Sequence, residues 1–218
     1  MVDTFEHTTE SATARAYRAL ERLIVTLELA PGSVTTERAL IERIGLGRTP
    51  IREAIQRLSW EGLMEIRPRA GLAIAPLHAG DWLRVLDARH GVEIVMARAA
   101  ARYVSREAAD LFHGSALAMQ KAVVAADVYA FLDADKAWDE AMAAACDNRF
   151  AVRLAGPLQT HSRRFWFRFR RGSGLAESAE HHVSIIQAVL DGNERSAIEE
   201  TARLMALLRM HAEEAARP

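Results

Sequence analysis

The chain has 218 residues, half of them hydrophobic and 26% charged, a composition that excludes intrinsic disorder, collagen-like repeats and low-complexity architectures. Its 28 basic and 29 acidic side chains leave a net charge of −1, so bulk positive charge gives no argument for a nucleic-acid or anionic-membrane partner, and any such surface has to be local. The single cysteine, Cys146, excludes an internal disulfide and a cysteine-rich zinc site and points to a reducing cytoplasm.

The first residues, Met1 to His7, are acidic and carry no apolar stretch, so no export signal is expected. The longest interval without Asp, Glu, Lys or Arg runs from Ala70 to Gly80, 11 residues, too short to span a bilayer. A soluble protein of one or two domains is expected.

In chain order, Ala16, Leu20, Leu23, Ile24 and Leu27 fall at helical spacing and predict a first helix over 12–29, stopped by Pro31-Gly32. Thr36 is placed to cap a short second helix with Ala39, Leu40, Ile41 and Ile44, and Gly45 supplies the left-handed residue at its end. A third helix begins between Gly47 and Pro50, with Ile51, Ala54, Ile55 and Leu58 as one apolar stripe. Leu63–Ile66 and Leu72–Ala75 read as a small hairpin around Arg67-Pro68-Arg69-Ala70-Gly71. Pro76 to Gly80 then reads as a linker, and helices follow near 81–104, 106–125, 128–147, 149–170, 176–191 and 194–215.

The third helix carries the functional reading. Arg48, Arg52 and Gln56 are four residues apart and line one face with Thr49, while the apolar stripe anchors the opposite face. Two short helices joined at a glycine, the second presenting guanidiniums and an amide, have the make-up of a helix-turn-helix that reads duplex DNA in the major groove. The alternative from spacing alone is a solvated face paired with Glu53 and Glu61. Residues 1–78 hold ten basic and ten acidic side chains, so charge does not choose between them.

The segment Thr36-Glu37-Arg38-Ala39-Leu40, the run from Gly45 through Arg48-Thr49-Pro50-Ile51-Arg52-Glu53-Ala54 to Leu58, and Glu61-Gly62-Leu63 resemble the winged helix-turn-helix of the GntR family of bacterial regulators. The resemblance implies that Arg38, Arg48, Thr49 and Arg52 contact bases or phosphates, joined by Gln56, with Arg69 and Gly71 at the wing tip and Gly71 letting the wing approach the minor groove. Gly47 departs from the family's usual serine and removes a hydroxyl at the helix start.

Residues 80 to 213 resemble the effector domain of the FadR subfamily, the FCD type, through Arg89 with Glu93, Asp135, a helix-ending Asn148, and His182 with Ile185 and Ala188. That subfamily often holds a divalent metal through one aspartate and three histidines. Here Asp139 stands at the first histidine position and Leu204 at the last. Two carboxylates four residues apart repel unless a cation or an arginine sits between them. The site therefore either keeps a divalent metal on Asp135, Asp139 and His182 or works without one, using arginine and histidine directly. The resemblance implies an effector pocket that includes Arg89, Asp135, Asp139, His161 and His182.

Arg89 either clamps a ligand carboxylate or pairs with Glu93. The run from His161 to Arg171 interleaves aromatics and arginines, but Leu154, Leu158, His161 and Phe165 make a core-facing stripe, which predicts packing with a solvated arginine face. His161 is then a core histidine or a ligand sensor. Cys146, on an alanine-rich helix, reads as a small buried hydrophobe.

The expected fold is mainly α: a winged helix-turn-helix DNA-binding domain over residues 1–78, then an all-α effector-binding and dimerisation domain of six or seven helices over 79–218. The expected function is a cytoplasmic, non-enzymatic transcriptional regulator, a repressor, that binds a near-palindromic duplex operator as a homodimer and is released by a small organic acid, with no membrane partner. Two alternatives stand beside it: a metal-dependent enzyme using Asp135, Asp139 and His182, and an architectural DNA-binding protein without a ligand.

Overall fold

The computed structural model describes residues 10–170 and 174–217. The acidic segment Met1 to His7 and Arg171 of the aromatic and arginine run lie outside the described residues. The chain divides into two compact units, one ending at Leu77 and the other starting at His78.

In the first unit, α1 (Ala12–Val25) is capped by Ser11, whose hydroxyl accepts from the Ala14 amide. It ends four residues earlier than its apolar spacing predicts. Leu27 adopts a left-handed backbone at φ 61°, and the Leu29 amide turns back to the Leu23 carbonyl at 2.9 Å. Helix α2 (Glu37–Ile44) starts at Thr36, whose hydroxyl accepts from Ala39, and stops at Gly45 at φ 73°. Helix α3 (Arg48–Trp60) buries Ile51, Ala54, Ile55 and Leu58, the stripe read from the sequence. These side chains close a core with Leu20, Ile24, Leu40, Leu63 and Ile74. Each fully buried aliphatic side chain contributes about 1.5–3 kcal/mol.

The hairpin is β2 (Met64–Arg67) and β3 (Gly71–Ile74), one residue offset from its expected ends. A third strand was not read from the sequence: β1 (Val34–Thr35) pairs antiparallel with β3, Val34 opposite Ala73. The sheet order is β1-β3-β2. Two residues are too few for a pattern of period two; only the β-branched pair hinted at it.

The second unit consists, among the described residues, of six helices: α4 (Ala79–Tyr103), α5 (Arg106–Val124), α6 (Val128–Ala145), α7 (Arg149–Phe169), α8 (Gly174–Leu190) and α9 (Glu194–Ala215). Asparagine and aspartate side chains set several starts: Asp127 caps α6, Asn148 caps α7 and Asn193 caps α9. Asn148 thus begins a helix, where the resemblance had it ending one. Helix α4 packs on α9 and α7, α5 on α6, and α8 on α9. Cys146 is buried at the end of α6.

Helix α7 corrects the expected stripe. Leu154 is 62% exposed, as is Phe150 at 64%, and Leu158 and His161 are only half-buried. Of the expected stripe only Phe165 is buried; the other buried residues of α7 are Ala151, Ala155, Gln159, Thr160, Ser162, Arg163, Arg164 and Trp166. Arg163 and Arg164 are buried rather than solvated. Trp166 stacks on Phe131 with ring centroids 5.2 Å apart, and Phe165 stacks on Trp82 at 6.1 Å, so the aromatics of this run pack inside the unit.

Candidate nucleic-acid interface and internal cavity

The outward face of α3 is polar because its inward face is consumed by the core. Arg48 and Arg52 are 75% and 62% exposed, and Thr49 and Gln56 are exposed beside them. Both guanidiniums lean on one carboxylate, Glu37 of α2, with Arg52 Nε at 2.9 Å and Arg48 Nε at 3.3 Å. Glu53 and Glu61, the partners expected for a merely solvated face, are engaged elsewhere. Glu53 accepts from Thr13, and Glu61 accepts from Tyr17 and Arg57. Glu37 and Arg52 stand between two surface grooves. One is lined by Ile55, Gln56, Ile66 and Leu72, the other by Thr36, Arg38, Ile41 and Arg48. Arg38 is exposed and pairs with Glu42 at 2.8 Å. Gly47 caps α3 through its extended backbone with no side-chain hydrogen bond, in line with its departure from serine.

At the tip of the hairpin, Arg69 sits at φ 64° and is exposed. Gly71 is at φ 96°, and a Cβ there would lie 2.6 Å from the Thr35 carbonyl oxygen. The close approach that requires glycine is therefore the seam between β3 and β1. Gly71→Ala is expected to destabilise the first unit by about 1–2 kcal/mol, from the left-handed backbone alone. Thermal unfolding at unchanged stability would contradict this.

In the second unit, α4, α6, α7, α8 and α9 place side chains around an internal cavity of about 20 Å³, lined by Arg89, Asp135, Ser162, Arg163, Ser178 and His182 with Phe131, Leu132, Trp166 and Leu208. This volume admits about one water. Arg89 donates from Nε to Glu93 at 2.8 Å and from Nη1 to Ser162 at 3.1 Å. Glu93 also accepts from Gln159 at 3.0 Å. The plain ion pair with Glu93 is thus formed, and Arg89 lines the cavity as well.

Arg163 lies between the two aspartates. Its Nη1 donates to Asp139 and is 3.5 Å from Asp135, and its Nη2 donates to Thr160 at 3.1 Å. His182 donates from Nδ1 to the Ser178 carbonyl at 2.6 Å, and its Nε2 is 3.1 Å from Asp135. The Nε2 contact lacks the alignment of a hydrogen bond. Trp138 meets the imidazole edge-on at 4.6 Å. Of the expected effector residues, Arg89, Asp135 and His182 line the cavity; Asp139 sits behind Arg163, and His161 is outside the lining. Ser162, Arg163, Trp166 and Ser178 were missed. The one signal for Arg163 was the pair of aspartates four residues apart, which called for a cation.

The residues do not fit a divalent metal while Arg163 holds this position. Among the described residues, no group of three or more His, Cys, Asp or Glu side chains is arranged to hold a metal ion. Leu204, where the resemblance implies a ligand histidine, is fully buried. Asp135, Asp139 and His182 form a hydrogen-bonded and ion-paired set around a guanidinium.

Burial opposes ionisation of Asp135, but His182, Arg163 and Arg89 outweigh it and hold this carboxyl at about 2. Burial pushes Asp139 up to about 7; Arg163 pulls against the shift and the Asp135 charge adds to it. A carboxyl raised in the fold contributes stability that is full below its ordinary value of 3.8 and is lost as pH rises through about 7. The slope is about 1.4 kcal/mol per pH unit at its steepest. Asp139→Asn should flatten the fall in denaturant stability between about pH 5 and 7. Parallel profiles for the two proteins would reject the raised Asp139.

The profile described as bacterial regulatory proteins, gntR family, matches residues 12–74, and that of the FCD domain matches residues 84–216. The HTH-type transcriptional repressor RspR of Escherichia coli (strain K12) is 31% identical over 109 residues, 48% of this chain and 46% of its own length. An HTH-type transcriptional regulator in the TAR-I ttuE-ttuC' intergenic region of Agrobacterium vitis is 34% identical over 143 residues, 62% of this chain and 74% of its own. The solved structure of E. coli McbR/YncC superposes with a TM-score of 0.81 over 96% of this chain and 100% of that one, at 15% identity; it shows the shared fold. The matched part of the chain spans about a third to a half of the length of the first curated relatives.

Proposed function

The chain belongs to the gntR family of bacterial regulatory proteins and carries an FCD domain, and from that premise we propose that it is a ligand-responsive repressor of the FadR type. In this reading the unit ending at Leu77 is the DNA-binding domain and the unit from His78 binds the effector and pairs two copies. The family implies DNA binding, and no described helix is long and apolar enough to cross a membrane. The observation that carries the reading is the two-sided α3: Arg48, Thr49, Arg52 and Gln56 outward, Ile51, Ala54, Ile55 and Leu58 buried. An α-helix of this kind fits the major groove, where guanidiniums read guanine and an amide reads adenine. Arg38 and Arg69 are placed for phosphate contacts, which orient the module without reading sequence.

A homodimer is supported by the apolar stripe of Phe150 and Leu154 that α7 leaves uncovered. Two copies would read successive half-sites of a near-palindromic operator. Repression is supported by the relative RspR, which is named a repressor. Control of the operator follows from linkage: an effector that prefers one arrangement of the protein and DNA that prefers another weaken each other by the same factor. The cavity between α4, α6, α7, α8 and α9 is the proposed effector site, with Arg89 and Ser162 to receive the carboxylate of a small organic acid. At about 20 Å³, it has to open to admit one.

The test is a panel of small organic acids scored by thermal shift and by affinity for the duplex next to the chain's own gene. One acid should raise the melting temperature and weaken that duplex specifically. Acids that stabilise the protein without changing DNA affinity would contradict release by effector, and turnover of an acid would favour an enzyme.

A further inference from the structure

We infer that the guanidinium of Arg163 takes the place of a divalent cation in the cavity of the second unit, making this a site that works without metal and becomes a metal site only when Arg163 is removed. The inference deepens the reading of this cavity as the effector site, but its test uses neither effector nor operator, so the two can fail separately.

Three observations carry it. His182 keeps the posture of a ligand: its Nδ1–H is held by the Ser178 carbonyl, and its Nε2 faces Asp135 at 3.1 Å. Metal-binding histidines are fixed in the same manner. Asp135 and Asp139, one turn apart on α6, converge on one positive group, and that group is Arg163 Nη1. Finally, Leu204 is fully buried on α9, so an aliphatic side chain stands at the fourth ligand position.

Position and charge together decide which cation the cluster accepts. Arg89 of α4 and Arg163 of α7 already supply two positive charges to Glu93 of α4 and to Asp135 and Asp139 of α6, with His182 of α8 beside Asp135. Arg163 Nη1 occupies the point on which the two aspartates converge, so a dication placed there would meet a buried guanidinium at contact distance and repel it strongly. Removing Arg163 removes that repulsion and leaves both carboxylates facing the same point. The donors are also suited to a dication once the guanidinium is gone. Asp139 Oδ1 and His182 Nε2 are buried without hydrogen-bond partners, and carboxylate with imidazole is a common ligand set for zinc, nickel and manganese.

The experiment uses the full chain, freed of metal by chelator, in wild-type form and as Arg163→Ala and Arg163→Gln. Thermal unfolding is recorded with Zn²⁺, Ni²⁺ or Mn²⁺ in about tenfold excess, and bound metal is counted by elemental analysis after desalting. The wild type should unfold at the same temperature with metal or chelator and carry no metal. At least one Arg163 variant should be stabilised by several degrees and retain one metal per chain, and Asp135→Asn in that background should abolish the gain. A wild type that retains one metal per chain, or is stabilised by it, overturns the inference even if neither variant folds. Folded variants that take up no metal also overturn it.

Discussion

Replacing Arg89 by alanine is expected to cost the helical unit about 3–5 kcal/mol, the range for removing one partner of a buried ion pair. Arg89 and Glu93 are one turn apart on α4 and both buried. The loss is large because the surviving carboxylate stays where it is: Glu93 would keep only Gln159 as a donor, and its Oε2 already has none. Ser162 would lose its donor as well. Removing both charges together, as in Arg89→Met with Glu93→Leu, should cost less than the single change, because no unpaired charge is left behind. Denaturant unfolding of the two variants measures the difference. A single variant that loses under about 1 kcal/mol would mean that the pair is solvated and that this side of the cavity is open to water.

Arg52→Ala is expected to weaken specific DNA binding by about 1–3 kcal/mol while leaving non-specific binding nearly unchanged. In the free protein Arg52 is held by Glu37, which also holds Arg48. Such exposed pairs contribute only about 0–1 kcal/mol, whereas a bidentate contact to guanine discriminates by about 1–3 kcal/mol. On the proposed reading a base outcompetes the glutamate, and Glu37 holds the two guanidiniums side by side on the outward face until DNA arrives. Titration of the variant with the cognate duplex and a scrambled one separates the readings. Equal loss on both would assign Arg52 to a phosphate.

The two-sided build of α3 was legible because one short helix has to satisfy two demands at once. Ile51, Ala54, Ile55 and Leu58 leave only one way to turn α3, and Arg48, Arg52 and Gln56 then point outward without further assumption. Thr36 and Gly45 mark the ends of α2 by side-chain and backbone chemistry that acts locally. Helix α7 was misread because it carries two stripes. Leu154, Leu158, His161 and Phe165 suggested a core face, but of these only Phe165 is buried, and the core took Ala151, Ala155, Gln159 and Ser162 instead. Small and polar residues let α7 approach α4 closely and complete the network around Glu93 and Arg89. Hydrophobicity alone ranks such a face second, and only the partners on other helices reveal it. The burial of Arg163 was hidden for the same reason: its stabilisation comes from Asp135 and Asp139, more than twenty residues away in sequence.

The claim on which the rest depends is that α3 enters the major groove. Methylation interference on the duplex to which the protein binds tests it at single-base level. Methylating guanine N7 at specific positions, in two clusters about one helical turn apart, should abolish binding, and Arg48→Ala or Arg52→Ala should erase the interference at matching guanines. Interference confined to adenine N3, or none at any guanine, would place the contact outside the major groove and contradict the account.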